Sequence, residues 1–159
     1  MKATGRHLLV EYQECDKEIL NNQEMIETIM REAAVAADTT IVTSVFHPFF
    51  PQGISGVVVI EESHLSIHTW PEYGYAAVDF FTCGNGDPEK AHDVLKEGLK
   101  SKKWEVMFVN RGELEGHAAM EVQSHVTETG TGQAIHLSSM RQKDPVTEAA
   151  PLQILEAAK

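Results

Sequence analysis

The sequence has only two cysteines, Cys15 and Cys83, which are too few for a disulfide framework. It contains no apolar run of about 18–20 residues that would span a membrane. Its first residues lack the apolar core of a signal peptide. The net charge of −11 disfavours nucleic acid, because the phosphate backbone would be repelled. We therefore expect a cytoplasmic enzyme or binding domain without nucleic-acid or membrane partners.

The composition fits one domain with a real core, since 42% of the 159 residues are hydrophobic. Alternating apolar residues and flanking turn residues predict several strands, including a hairpin closed by the turn at residues 71–74. The predicted strands cover 7–14, 39–49, 56–62, 64–70, 75–83, 103–112 and, less distinctly, 117–122.

Two amphipathic helices interrupt these strands, at residues 21–38 and 84–102. Asn21 is the predicted cap of the first helix, with Glu24 three residues later. Asp87 is the predicted cap of the second, and Pro88 suits its first turn. The apolar stripes comprise Ile26, Ile29, Met30, Ala33 and Ala37 in the first helix and Ala91, Val94, Leu95 and Leu99 in the second.

This order of elements predicts an α+β fold, a two-layer α/β sandwich whose mainly antiparallel sheet carries both helices on one face. The other sheet face is then open, and we expect a second copy to cover it in a dimer. Residues 1–122 are the predicted domain. Residues 123–159 have no aromatic residue and are rich in small polar residues, which predicts a flexible tail.

One short β-rich stretch concentrates reactive side chains: Ser63, His64, His68, Trp70 and Cys83. The two histidines are four residues apart, which on a strand is about 13 Å and too far for one metal ion, so we predict no metal site. Pairing around the turn would place Ser63 opposite Cys83, within two residues. A histidine in a sheet and a small buried thiol are the ordinary structural alternative.

Ser63 and His68 resemble a nucleophile and its base, but five strand residues separate them by about 16 Å. His68 reaches Ser63 of its own chain only through a sharp bend in the strand. The alternative is that it serves Ser63 of a second subunit across a two-fold interface.

The stretch "SGVVVIEESHLSIHTWPEYGYAAVDFFTCG" closely resembles the processing and active-site region of short prokaryotic S-adenosylmethionine decarboxylase proenzymes. The resemblance covers roughly residues 5–112 and includes "GRHLLVEYQECD" and "TTIVTSVFHPFFPQG". It implies a self-cleaving, pyruvoyl-dependent decarboxylase of polyamine biosynthesis that forms dimers of α/β sandwiches with shared active sites.

The resemblance also implies roles for individual residues. The Glu62–Ser63 bond would break, and Ser63 would become the pyruvoyl group that forms a Schiff base with S-adenosylmethionine. His68 and Ser55 match the family's processing residues, and Cys83 matches its proton donor. The substrate-binding residues implied are Glu72 for the ribose, Phe49 for stacking on adenine and Trp70 as a second aromatic.

The chain departs from the family's sequence pattern in two places, and two alternative functions remain. Only Glu62 of the Glu61–Glu62 pair matches the cleavage pattern, and residues beyond about 122 exceed the family's usual end. Relatives on the same scaffold decarboxylate arginine or ornithine, although Phe49, Trp70 and Glu72 favour an adenosyl ligand. An unprocessed, non-catalytic paralogue is the other alternative, disfavoured by the intact processing residues.

Overall fold

The computed structural model describes residues 4–112 and 120–130, together with the backbone of 134–137. These residues form eight strands, three α-helices and one 3₁₀ turn. In chain order they are β1 Gly5–Gln13, α1 Lys17–Leu20, α2 Gln23–Ala36, β2 Ile41–Pro48, β3 Ile54–Ile60, β4 Ser63–Trp70, the 3₁₀ turn Pro71–Tyr73, β5 Tyr75–Thr82, α3 Pro88–Gly98, β6 Lys103–Arg111, β7 Met120–Thr129 and β8 Ala134–Leu137.

All eight strands join one sheet in the order β2-β3-β4-β5-β1-β6-β7-β8. Every neighbouring pair is antiparallel, which confirms the predicted sheet type. The strand β1 lies between β5 and β6, so the first strand of the chain becomes a central strand. The predicted turn at 71–74 closes the β4–β5 hairpin, and Gly74 adopts the left-handed conformation that ends it.

The core lies between one face of the sheet and the helices α2 and α3, as predicted. Alternate residues of β1 (Leu8, Val10 and Tyr12) are buried there. The buried positions of both helices agree with the predicted stripes, apart from Val94, which packs against the core only in part. On the other face, alternate side chains such as His68 and Trp70 are exposed. No helix in the described residues is long and apolar enough to cross a membrane.

The first predicted helix cap was wrong by one residue. Asn22, not Asn21, caps α2, and its side-chain oxygen accepts a hydrogen bond from Met25 N–H at 3.1 Å. Asn21 instead ends the short helix α1, and its side chain accepts the Gly53 N–H at 3.1 Å. Two consecutive asparagines offer the same capping chemistry, so local sequence does not choose between them. Asp87 caps α3 as predicted.

The predicted boundary at residue 122 falls inside β7, because this strand continues to Thr129 and pairs with β6 along its length. Residues 123–129 therefore belong to the sheet and not to a flexible tail, and β8 pairs in turn with β7. Polar residues dominate β7 because it lies near the sheet edge and buries little, which is why its composition resembles a tail. Residues 138–159 lie outside the described residues, so the tail stays a prediction there.

A buried hydroxyl joins the sheet to the short helix that precedes α2. Thr69 on β4 is 5% exposed, and its Oγ1 donates to the Leu20 carbonyl at 2.8 Å. The same oxygen accepts the Ile54 N–H at 2.8 Å. One side chain thus satisfies a carbonyl at the end of α1 and an N–H at the start of β3, and both are buried.

Replacing this hydroxyl should destabilise the fold although the side-chain shape is retained. We expect Thr69→Val to lower the free energy of unfolding by about 1–3 kcal/mol, because two buried polar groups lose their partner. The measurement is urea denaturation in a Ser63→Ala background, which removes the hydroxyl predicted to attack the chain and so avoids the predicted cleavage. Thr69→Ser is the control: it keeps both bonds and should lose only about 1 kcal/mol for the missing methyl group. Equal stability of Thr69→Val and the parent would contradict this assignment.

Candidate active site

The predicted scissile bond lies in a tight turn between β3 and β4. Ile60 at the end of β3 pairs with Ser63 at the start of β4, so Glu61 and Glu62 form the turn. Ser63 has a backbone φ of 156°, a value that residues with side chains rarely adopt. The unusual backbone conformation therefore occurs at the serine whose preceding peptide bond is predicted to break.

Contacts on two sides hold this turn in place. The Thr40 carbonyl accepts the Glu61 N–H at 2.9 Å, and the Thr40 N–H donates to Glu62 Oε2 at 3.2 Å. On the other side, a Cβ on Gly84 would lie only 2.7 Å from Cγ of Glu62. A side chain at position 84 would therefore collide with the side chain of Glu62, and glycine leaves room for it.

Cys83 directs two donors at the carbonyl oxygen of Glu62. Its backbone N–H lies 3.0 Å from that oxygen and its Sγ lies 2.9 Å from it. In the β4–β5 ladder Ser63 pairs with Thr82, so the predicted Ser63–Cys83 pairing was correct within its two-residue margin. Two donors on one carbonyl polarise it and can stabilise negative charge that develops on its oxygen.

Ser63 also contacts the residue that follows it. Its Oγ lies 3.2 Å from Nδ1 of His64, within hydrogen-bond distance. Burial lowers the pKa of the His64 imidazole, and the nearby His7 lowers it further, so the ring favours its neutral form. From the sequence, His64 is considered only as a metal ligand together with His68, and strand spacing argues against that role. Its contact with Ser63 depends on the backbone conformation at the turn.

Ser55 and His68 face each other on the open face of the sheet. They are directly opposed in the β3–β4 ladder, and Ser55 Oγ lies 2.6 Å from His68 Nδ1. The His68 ring is exposed and its centroid lies 6.2 Å from that of Trp70. The structure thus brings the two predicted processing residues together as a pair.

This pair is remote from Ser63 of the same chain. His68 is five residues further along β4, which corresponds to about 16 Å. The ladders from β4 to both neighbouring strands run without a register shift. Alternation buries Leu65 and Ile67 and leaves His68 on the open face. A sharp bend that would bring His68 to its own Ser63 is therefore excluded.

The predicted substrate-binding residues lie at the other end of β4 from Ser63. Trp70 ends the strand, about 23 Å from Ser63, and its ring stacks on Tyr75 with centroids 5.1 Å apart. Glu72 lies in the adjoining 3₁₀ turn. Phe49 directly follows β2, is 51% exposed and packs edge-on against His47. Within a single chain, these three residues are therefore far from the predicted scissile bond.

Two polar residues beside Glu72 were not predicted as site residues. Gln52 Nε2 donates to Glu72 Oε2 at 3.0 Å, and Lys17 Nζ donates to the Glu72 carbonyl at 2.9 Å. All three residues line an open groove of about 670 Å³. Lys17 comes from a helix 55 residues earlier in the chain. Only the folded arrangement brings it to Glu72, so no local motif indicates the contact.

A second polar cluster lies on the open face near His64. Asp79 accepts a hydrogen bond from Ser66 Oγ at 3.1 Å, and His7 Nε2 lies 3.6 Å from its carboxylate. His7 first, and Ser66 to a lesser extent, hold the pKa of the Asp79 carboxyl below its usual value. At 3.6 Å this contact is longer than a hydrogen bond, so His7 lies beside the carboxylate without a direct hydrogen bond to it. Arg111 completes the cluster, 3.0 Å from His7 Nδ1 and above the ring of Phe81.

Known proteins are similar to this chain in both sequence and fold. The profile of the family described as S-adenosylmethionine decarboxylase matches residues 6–112. An S-adenosylmethionine decarboxylase proenzyme of Thermotoga petrophila is 59% identical over 113 residues, which cover 70% of this chain and 87% of the relative. The proenzyme of Thermosipho africanus is 54% identical over 129 residues, or 80% of this chain and 99% of the relative.

Among solved structures, the adenosylmethionine decarboxylase from Aquifex aeolicus matches with a TM-score of 0.64 at 36% identity. The match covers 74% of this chain and 98% of that one. The chain belongs to the S-adenosylmethionine decarboxylase family.

Proposed function

We propose that this chain is the proenzyme of a pyruvoyl-dependent decarboxylase that converts S-adenosylmethionine to its decarboxylated form, the aminopropyl donor for spermidine synthesis. The observation that carries the proposal is the Glu62 carbonyl, which accepts two donors from Cys83 directly beside the Ser63 hydroxyl. Membership of the family supports the reaction and its substrate. The exposed aromatic rings of Phe49 and Trp70, with Glu72 beside them, suit an adenosyl group.

Self-cleavage begins at the Glu62–Ser63 peptide bond. The Ser63 Oγ attacks the Glu62 carbonyl carbon, and negative charge develops on the carbonyl oxygen as the tetrahedral adduct forms. The N–H and thiol of Cys83 are placed to stabilise that charge, because they already point at this oxygen. Collapse of the adduct breaks the C–N bond and leaves Glu62 as an ester on Ser63.

The ester must then be eliminated. A base removes the Ser63 α-proton, the Cβ–Oγ bond breaks and the first chain leaves with Glu62 as its C-terminal carboxylate. The dehydroalanine that remains takes up water and releases ammonia, which gives the pyruvoyl group. We assign removal of the α-proton to His68 of the second subunit, because its ring is exposed on the open face and is held there by Ser55.

Ser63 is also the residue that would carry the finished cofactor, and its surroundings fit that role. The pyruvoyl group supplies an electron sink for loss of the substrate carboxylate, as pyridoxal phosphate does in other decarboxylases. Cys83, adjacent to this position, is assigned to return a proton to the substrate α-carbon. Glu72, held by Gln52, is assigned to the ribose hydroxyls.

We further propose that each site is shared between two subunits. His68 and Ser55 on the open face, and Phe49, Trp70 and Glu72 at the end of β4, are too far from the Ser63 of their own chain. An isologous dimer through the open face would bring the start of β4 in one subunit towards the end of β4 in the other. Two complete sites would then form in each dimer.

Removing the attacking hydroxyl should block maturation. We expect wild-type protein to give two fragments, residues 1–62 and 63–159, the second with a blocked start. Ser63→Ala should remain one full-length chain, because no Oγ remains to attack the Glu62 carbonyl. A denaturing gel with mass spectrometry makes the measurement. Cleavage of Ser63→Ala at this bond would rule out the mechanism, and an uncleaved wild type would indicate a non-catalytic paralogue.

Removing the thiol should separate maturation from decarboxylation. Cys83→Ala keeps the backbone N–H that contacts the Glu62 carbonyl, so we expect it to mature, more slowly than wild type. Decarboxylation by the matured protein should fall about 10²–10⁴-fold, the usual cost of losing a general acid. Release of labelled carbon dioxide per mole of pyruvoyl group gives the comparison. Near-normal turnover would assign the proton donor to another residue.

A mixing experiment tests the shared site. Glu72→Ala and Cys83→Ala are matured separately, and each should be nearly inactive. After subunit exchange, one site in each mixed dimer contains an intact Cys83 and an intact Glu72 from the two different chains. Since about half of all dimers are mixed, activity should rise towards about a quarter of wild type.

Native mass spectrometry verifies that exchange has taken place. Two samples of Glu72→Ala mixed with each other serve as the control and should gain no activity. If mixed dimers form and activity stays at the level of the separate variants, the two residues act within one chain and the shared-site assignment fails.

A further inference from the structure

Self-cleavage as proposed above requires two different proton transfers. The Ser63 Oγ must lose its proton while it bonds to the Glu62 carbonyl carbon. Later the Ser63 α-carbon must lose a proton when the ester is eliminated. His68 is assigned to the second transfer, and the first transfer needs an acceptor that touches the hydroxyl.

His64 is in contact with that hydroxyl. Its Nδ1 lies 3.2 Å from Ser63 Oγ in the same chain, whereas His68 is about 16 Å along the strand. The other contacts at the bond have the opposite polarity, because Cys83 donates to the Glu62 oxygen. The arrangement thus provides donors at the oxygen that becomes negative and an acceptor at the hydroxyl that loses its proton.

We propose that His64 is the general base for the first step of self-cleavage. Nδ1 takes the Oγ proton as the Oγ–C bond forms, and the protonated ring returns it to the Ser63 nitrogen as the C–N bond breaks. The proton balance therefore closes within the residue pair, and no external base is needed. The inference rests on the proposed self-cleavage and adds an assignment for its first proton.

The surroundings of His64 suit an imidazole that starts neutral. His64 lies opposite Val59 on β3 and Phe81 on β5, and the ring centroids of His64 and Phe81 are 6.2 Å apart. The titratable and charged groups near it are His7 from β1, Asp79 from β5 and Arg111 from β6. Two of these three favour the neutral ring, and partial burial acts in the same direction.

The first step can be followed separately from the second. In full-length His68→Ala the ester should form but not be eliminated, and hydroxylamine splits an ester while leaving an amide intact. The rate of hydroxylamine-dependent splitting at Glu62–Ser63 then reports ester formation. We expect His64→Asn in this background to slow the splitting about 10²–10⁴-fold, because the amide fills similar space but cannot take the proton.

Two further variants separate a catalytic from a structural role. His64→Ala in the same background should recover part of the rate when imidazole is added, since the vacated space admits a replacement base. His125→Asn removes a histidine on β7, away from the turn, and should leave the rate unchanged. Thermal unfolding of each precursor shows whether the chain remains folded.

The outcomes are distinct. Splitting of His64→Asn at the parental rate would overturn the inference, as would a slow His64→Ala that is unstable and does not respond to imidazole. A parent His68→Ala that hydroxylamine never splits would show that His68 is needed for ester formation and would also overturn the division between the two histidines. A wild-type chain that never splits would instead refute the proposed function itself.

Discussion

The extended geometry of β4 is the constraint on which the rest of the site depends. A strand advances about 3.3 Å per residue, so the eight residues from Ser63 to Trp70 separate the proposed cleavage site from the exposed aromatics by about 23 Å. The uninterrupted ladders to β3 and β5 keep the strand straight. A single chain consequently contains two separate parts of the proposed active site, one at each end of β4, and neither part is complete. A two-fold axis across the open face is the simplest operation that completes both.

The turn at Glu61–Glu62 is the part of the sheet that favours the proposed cleavage. Thr40 fixes the turn from one side, and Gly84 permits a close approach from the other. These contacts hold the Glu62 carbonyl against the donors of Cys83 before any reaction begins. Donors that need not reorganise stabilise developing charge more effectively than mobile water. In the proposed mechanism, the contribution of the fold is therefore to orient the Glu62 carbonyl before the bond is attacked.

Most of the fold could be predicted from the sequence. The alternation of apolar and polar residues in the strands, and the apolar faces of the two helices, indicate directly which side chains are buried. The signal failed where burial is weak: β7 is an exposed, polar strand, and its pairing with β6 depends on the backbone. The site residues also fall into those that the sequence reveals and those that it does not. Ser63, His68 and Cys83 stand in a specific motif. The contacts of Gln52 and Lys17 with Glu72, and of His64 with Ser63, arise from tertiary structure and backbone conformation, which no local spacing encodes.

The charges of the open face bear on whether a second subunit can cover it. Burying a carboxylate is costly unless it is paired and hydrogen-bonded. Three carboxylates on this face each have a partner from a neighbouring strand of the same chain. The pairs are Asp79 with Ser66, Glu11 with Tyr75 and Glu105 with His125. The proposed dimer therefore requires no ion pair between subunits to satisfy these groups, and apolar residues such as Val45 and Val57 are free to supply the contact. His68 and Ser55 are hydrogen-bonded to each other and to none of these carboxylates, which is compatible with the proposed action of this pair on Ser63 of the second subunit.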